Sequence, residues 1–227
     1  MSILDAIIQG IVQGLTEFLP VSSSGHLAIT QHILGVGTGD SNLFFNVMLH
    51  VGTLVAVIAF YHKLVWDLIK EFFFMLKDIF TGKFKWSKMN YNRNLVVMLI
   101  IGLIPLFLLF LPIPGTDMKL KDLADLLSAS PVLIVTACSL ILTSVLLTIG
   151  IIRNRKSVAA NHKHLATKSN AKATRDSFNV VDAILVGVTQ VCAALLPGLS
   201  RSGSTLAVGE MRGISKQKAL DYTFVLG

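Results

Sequence analysis

The sequence predicts an all-α polytopic membrane protein built on an inverted-topology repeat with two re-entrant helix hairpins. Three observations predict it. The 227 residues are 53% hydrophobic and only 15% charged, with a mean hydropathy of +0.69, whereas a soluble domain carries about 25% charged residues. Two runs, 95–114 and 131–152, contain no charge, and about 20 such residues in a helix cross roughly 30 Å of hydrocarbon. Two proline-headed polar segments, 20–26 and 197–205, interrupt otherwise apolar sequence.

Taken in order, residues 1–34 form the first hairpin. No basic n-region precedes it and no small-residue cleavage pattern follows, so it is retained rather than removed as a signal peptide. Residues 43–61 form a span whose Asn46 and His50 give it an internal polar face or a lumen contact. Between 63 and 78 the charges share one helical face, which predicts an amphipathic interfacial helix. The spans 95–114 and 131–152 follow, then a basic cytoplasmic loop over 153–179 and a second hairpin over 179–211. Residues 61–94 carry seven Lys and Arg against three acids, and 153–179 carry seven against Asp176 alone. Both basic stretches therefore face the cytoplasm, and topology explains the net charge of +7 without nucleic acid. The segments 34–42 and 112–131 face outward. Cys138 and Cys192 lie in apolar runs without metal or disulfide spacing and read as small buried hydrophobes.

The repeat appears when Asp5-Ala-Ile-Ile-Gln-Gly10 is laid on Asp182-Ala-Ile-Leu-Val-Gly187. Gln13 then meets Gln190 and Pro20 meets Pro197, with seven of sixteen positions identical. After a one-residue slip Ser24-Gly25 falls on Ser202-Gly203. The first copy enters from outside and the second from inside, so the copies are inverted, an arrangement that puts polar turns near the bilayer midplane. The counterpart of the 43–61 span is expected to begin near Leu220 and run past Gly227. The sequence is thus expected to be a piece of a longer protein lacking further C-terminal helices.

The chemistry concentrates at the two turns. Gly10, Gln13, Gly14 and Glu17 share one helical face, and Glu17 is an ionisable group inside a membrane segment, which is expensive and usually functional. A carboxylate satisfied at an interface is the bland alternative. Ser22, Ser23, Ser24, Gly25 and His26 stand where a helix begins, and helix N-termini bind phosphate oxygens; plain N-capping accounts for one of the hydroxyls. In the second copy Ser200, Arg201, Ser202, Gly203 and Thr205 set a guanidinium among hydroxyls and glycines, suited to an anionic ligand. The competing role for Arg201 is an ion pair to Glu17. Together these groups suit phosphoryl transfer: Arg201 and the amides stabilise phosphate charge, Glu17 with Gln13 holds a divalent cation, His26 relays a proton, and either Ser23 or water attacks. A transporter or flippase for a phosphorylated lipid uses similar architecture, and a purely structural subunit leaves the polar turns without a role.

At these residues the chain resembles the bacterial undecaprenyl-diphosphate phosphatase, or bacitracin-resistance protein, family. Gln13-Gly-Leu-Thr-Glu17 is similar to its (Glu/Gln)-x-x-x-Glu motif, continued by Phe18-Leu-Pro-Val-Ser-Ser-Ser-Gly-His26. Pro197-Gly-Leu-Ser-Arg-Ser-Gly-Ser-Thr205 is similar to its Pro-Gly-x-Ser-Arg-Ser-x-x-Thr motif. The similarity continues through His50-Val-Gly-Thr and the charged segment after Ala219. It implies hydrolysis of undecaprenyl diphosphate to the monophosphate carrier for peptidoglycan synthesis, bacitracin resistance, and a multi-pass protein of the bacterial cell membrane with an outward-facing site. It implies a divalent metal, Mg2+ or Ca2+, with Glu17 as its ligand, and a polyprenyl diphosphate and membrane lipids as partners. A homodimer is the assembly left open. The catalytic set it implies is Glu17, Ser23, His26 and Arg201. Gln13 is the neutral option at its motif position, which weakens a two-carboxylate metal site.

Overall fold

A computed structural model describes residues 2–36, 40–86, 89–116, 118–129, 133–165 and 175–227. These residues are helical throughout apart from turns and two isolated backbone bridges. The helices are α1 (Ile3–Phe18), α2 (Ser23–Ile33), α3 (Asp40–Phe60), α4 (His62–Phe80), α5 (Tyr91–Leu103), α6 (Leu120–Ala129), α7 (Leu133–Leu165), α8 (Val180–Leu195), α9 (Arg201–Met211) and α10 (Lys216–Leu226).

The internal repeat reaches the capping atoms. Helix α1 begins with a capping box in which Ser2 accepts from the Asp5 N–H and Asp5 accepts from the Ser2 N–H. Helix α8 repeats the device with Asn179 and Asp182. Both helices run 16 residues and stop one residue before Leu19-Pro20 and Leu196-Pro197 respectively, since the residue before proline is driven out of the helical region. Both are followed by an 11-residue helix, α2 and α9, capped by Ser22 and Ser200. Helices α1 and α2 pack on each other, as do α8 and α9, and α7 lies along α9.

Among the described residues two helical stretches are long and apolar enough to cross a membrane, Tyr91–Phe110 and Leu133–Arg155, each with mean hydropathy 2.3, and the bent pair α3–α4 makes a third if it is one span. Helices α3 and α4 meet at 84°, with the break at Tyr61. The bend separates an apolar helix from the amphipathic one. On α4, Asp67 pairs with Lys70 at 2.7 Å, while Glu71 and Asp78 both hold Arg93 of α5, at 3.1 and 2.7 Å.

Several boundaries differ from the sequence expectation. The 95–114 stretch is α-helical only to Leu103 and continues as a 3-10 segment, Ile104–Phe110, because Pro105 supplies no N–H to the α-helical ladder. Within 112–131 the chain forms α6 rather than loop alone. Helix α7 does not end at Ile152 but runs to Leu165, into the stretch read as a basic loop. Arg, Lys and Ala are good helix formers, and leaving hydrocarbon does not end a helix. Pro131 and the 166–174 part of that loop lie outside the described residues. Cys138 and Cys192 are exposed on the protein's outer surface, a correction to the buried reading. An apolar run says that a residue avoids water, and on a membrane protein lipid satisfies that as well as a core does.

The same logic explains the large exposed hydrophobics, such as the Ile3, Ile7, Ile11 and Leu15 stripe on α1. A compact core does exist where α5, α8, α9 and α10 meet. It contains Leu95, Met98, Ala183, Val186, Leu206, Ala219 and Tyr222. The Tyr222 ring stacks on Phe178 at 4.0 Å and its hydroxyl donates to the Met98 carbonyl at 2.7 Å.

Candidate active site between the two polar turns

The turns after α1 and α8 touch. A Cβ on Gly203 would run into the Pro20 carbonyl oxygen, and one on Gly25 would lie 3.4 Å from the Gly198 Cα. These glycines let two backbones approach where a side chain would hold them apart. Each turn ends in the same cap. Ser22 Oγ accepts from the Gly25 N–H at 3.2 Å and Ser200 Oγ from the Gly203 N–H at 2.9 Å. The caps leave the N–H groups of Ser23 and Ser24, and of Arg201 and Ser202, without helical acceptors. Two helix starts, each with the positive end of its dipole, therefore converge. Ser22 is the one non-glycine residue at positive φ, 73°, among the described residues.

Two cavities open at this junction. One, of about 310 Å³, is lined by Glu17, His50, Ser22, Ser23 and Ser24 with 196–202 of the second turn. The other, of about 510 Å³, is walled by Val47, Val51, Leu54, Val57 and Phe224, and shares Glu17, His50, Arg201 and Ser202 with the first. A polar chamber thus adjoins a mostly apolar one.

Glu17 accepts from the Gln13 Nε2 at 3.0 Å. Gln13 itself is 1% exposed and lines neither cavity, so it orients the carboxylate from behind; its Oε1 is buried without a partner. Arg201 forms no ion pair with Glu17, and its guanidinium has no hydrogen-bond partner among the described residues. The Ser23 hydroxyl is likewise unengaged, whereas Ser22 and Ser24 face each other at 3.4 Å, and Ser200 and Ser202 at 3.3 Å. Helix α7 steadies the second turn, Thr143 Oγ1 accepting from the Ser200 N–H at 3.1 Å. Thr205 is buried and donates to the Arg201 carbonyl at 3.0 Å. Thr205, Gly25 and Gly203 support the walls and do not line the cavities.

His26 lies one turn into α2, its Nδ1 2.8 Å from the Ser22 carbonyl oxygen, and is absent from both cavity linings. The histidine that does line them is His50 of α3. The polar face noted at Asn46 and His50 was the signal for it, but a helical phase alone does not say what that face meets. Among the described residues no three His, Cys, Asp or Glu side chains gather as a metal site.

Against known proteins, a family model described as bacitracin resistance protein BacA matches residues 6–227. The whole chain is 39% identical to an undecaprenyl-diphosphatase of Alkaliphilus metalliredigens, covering 72% of that protein. It is 34% identical to the undecaprenyl-diphosphatase of Bacteroides thetaiotaomicron, covering 71%, and 36% identical to that of Methanobrevibacter smithii, covering 72%.

Proposed function

The chain belongs to the bacitracin resistance protein BacA family, and on that premise we propose that it hydrolyses undecaprenyl diphosphate to undecaprenyl phosphate and inorganic phosphate. This recycles the lipid carrier of peptidoglycan synthesis and confers bacitracin resistance. The observation that carries the assignment to a site is the pair of adjoining cavities sharing Glu17 and Arg201. Their polar part suits a diphosphate and their apolar part suits the lipid attached to it.

The unpaired Arg201 guanidinium and the free N–H groups of both helix starts hold the phosphate oxygens and take up charge as the terminal phosphoryl group transfers. The oxygen of water or of Ser23 attacks the terminal phosphorus. The bond to the bridging oxygen breaks, and its electron pair leaves on undecaprenyl phosphate. If Ser23 attacks, water then cleaves the phosphoserine. The proton of the attacking oxygen passes to the released phosphate, and His26, its Nδ1 2.8 Å from the Ser22 carbonyl oxygen, supports the serine turn from behind.

A divalent cation fits the donor set in part. Glu17 would hold it, with the partnerless Gln13 Oε1 as a neighbouring oxygen, and Mg2+ is commonly bound by one or two carboxylates together with substrate phosphates. Such an ion would neutralise charge on the diphosphate.

The repeat also supports two re-entrant hairpins entering from opposite sides, with the site opening outward. The test is phosphate release from undecaprenyl diphosphate by the purified chain in detergent, with and without added Mg2+ or Ca2+. Release is expected. No release, together with movement of the intact lipid across proteoliposomes, would replace this reading with a flippase.

A further inference from the structure

We propose that His50 binds the substrate's diphosphate through its Nε2, an inference that rests on the phosphatase reading of the site. Its ring is fixed at the other nitrogen. Nδ1 lies 2.8 Å from the Asn46 carbonyl oxygen, which can only accept, so Nδ1 carries a proton. Nε2 has no partner among the described residues, on a side chain that lines both cavities beside Glu17 of α1 and Arg201 of α9.

A chain of amides, Gln9 buried and Gln31 and Asn46 half-buried, sets the direction of that ring. Gln31 of α2 donates through Nε2 to Gln9 Oε1 of α1 at 2.8 Å and to Asn46 Oδ1 of α3 at 2.7 Å. Three helices are thereby locked in rotation, and Asn46 stands one turn before His50. Polar side chains are expensive to bury and are retained where they fix a geometry. Here the geometry fixed is the face of α3 turned to the junction of the polar and apolar cavities. That junction is where the lipid's first phosphate would lie, with the chain running along Val47, Val51, Leu54 and Val57. With Nδ1 held on the Asn46 carbonyl, Nε2 is the ring atom that meets the phosphate oxygens, donating as an imidazolium or accepting from a phosphate hydroxyl as the neutral ring.

The experiment compares His50→Leu with His50→Gln in the full chain, reading kcat and KM for undecaprenyl diphosphate separately. Glutamine keeps a nitrogen donor at a similar reach, and leucine keeps bulk without one. His50→Leu is expected to raise KM about 10- to 100-fold, the loss of one hydrogen bond to a charged group, with kcat little changed. His50→Gln is expected to stay within about threefold of wild type on the same scale. If His50→Leu does not purify as folded protein, His50→Ala takes its place.

A KM for the leucine or alanine variant within threefold of wild type overturns the proposal, as does a glutamine variant as weak as leucine, or a loss confined to kcat. In each case active wild type leaves the phosphatase reading standing. Absence of phosphate release from wild type removes that reading and this one together.

Discussion

Replacing Arg201 with methionine separates the site from the fold. The guanidinium has no ion pair and no hydrogen-bond partner in the described protein, so its removal breaks no interaction that folding depends on. Methionine matches the aliphatic stem, and α9 loses no capping group because Ser200 supplies the cap. Stability should therefore change by no more than about 0.5 kcal/mol, the usual range for an uncommitted surface position. Activity should respond very differently. A hydrogen bond to a charged group is worth about 1.5–3 kcal/mol, and a guanidinium offers phosphate two in parallel. Losing both removes about 3–6 kcal/mol of transition-state binding, so kcat/KM falls roughly 100- to 10,000-fold. Arg201→Lys retains a point charge and loses the paired geometry, and should fall between, at about 10- to 100-fold. The assay is phosphate release from undecaprenyl diphosphate alongside thermal unfolding in the same detergent. Unchanged kcat/KM in Arg201→Met would remove the guanidinium from phosphate binding. A stability loss above about 1 kcal/mol would mean that Arg201 has a structural partner after all.

Ser23→Ala decides between nucleophiles: with water attacking, a rate within about tenfold of wild type is expected, whereas a serine nucleophile gives a loss of 1,000-fold or more. A phosphorylated intermediate trapped by acid quench in wild type and absent from the variant checks the second outcome. Gly203→Ala should lower stability by about 1–3 kcal/mol through overpacking against the Pro20 carbonyl, and a melting temperature equal to wild type would show that the two turns do not touch. Asp182→Asn breaks ion pairs to Arg175 at 2.9 Å and Arg212 at 2.7 Å around a fully buried carboxylate. A loss of about 2–4 kcal/mol is expected, below the fully buried case because both arginines are partly exposed. KM of the surviving folded protein should be unchanged, and a raised KM would tie this distant cluster to the site.

The sequence carried the repeat down to its caps because capping is local chemistry. Asp5 and Asp182, noticed only as matching letters, are the N3 acids of two capping boxes, and Pro20 and Pro197 mark the ends of their helices for the reason proline always restricts its predecessor. The carboxylate and guanidinium were legible as charges in apolar surroundings. His50 was legible as part of a polar face but not as a cavity residue, because its side faces the cavities only through the rotation that Gln9, Gln31 and Asn46 impose on α3, a contact among three helices. The end of α7 was missed for a related reason. Charge patterning reports where water begins, and the helix continues past that point to Leu165.

Asp5 and Asp182 also show how the two copies have parted. In the first copy the acid caps an exposed helix start and does nothing more. In the second the same acid is buried and clamps two arginines, tying the chain at Arg175 to the α9–α10 turn, where the Arg175 N–H donates to the Gly213 carbonyl and the Arg175 carbonyl accepts from the Ser215 N–H. The caps at the turns diverge in the opposite sense. Ser200 holds its glycine from ordinary extended backbone at φ −68°, while Ser22 makes the same hydrogen bond from the left-handed region at φ 73°. A non-glycine residue there stores about 1–3 kcal/mol, and the residue that follows Ser22 is Ser23, whose hydroxyl is unengaged at the cavity wall. The anchored, relaxed copy presents the cation that holds phosphate, and the lightly held, strained copy presents the carboxylate and the hydroxyl. Holding phosphate requires a fixed point and reacting with it requires a group not already satisfied, so the asymmetry matches the proposed reaction, in which Arg201 of the second turn holds the phosphate and Glu17 and Ser23 of the first stand where it reacts.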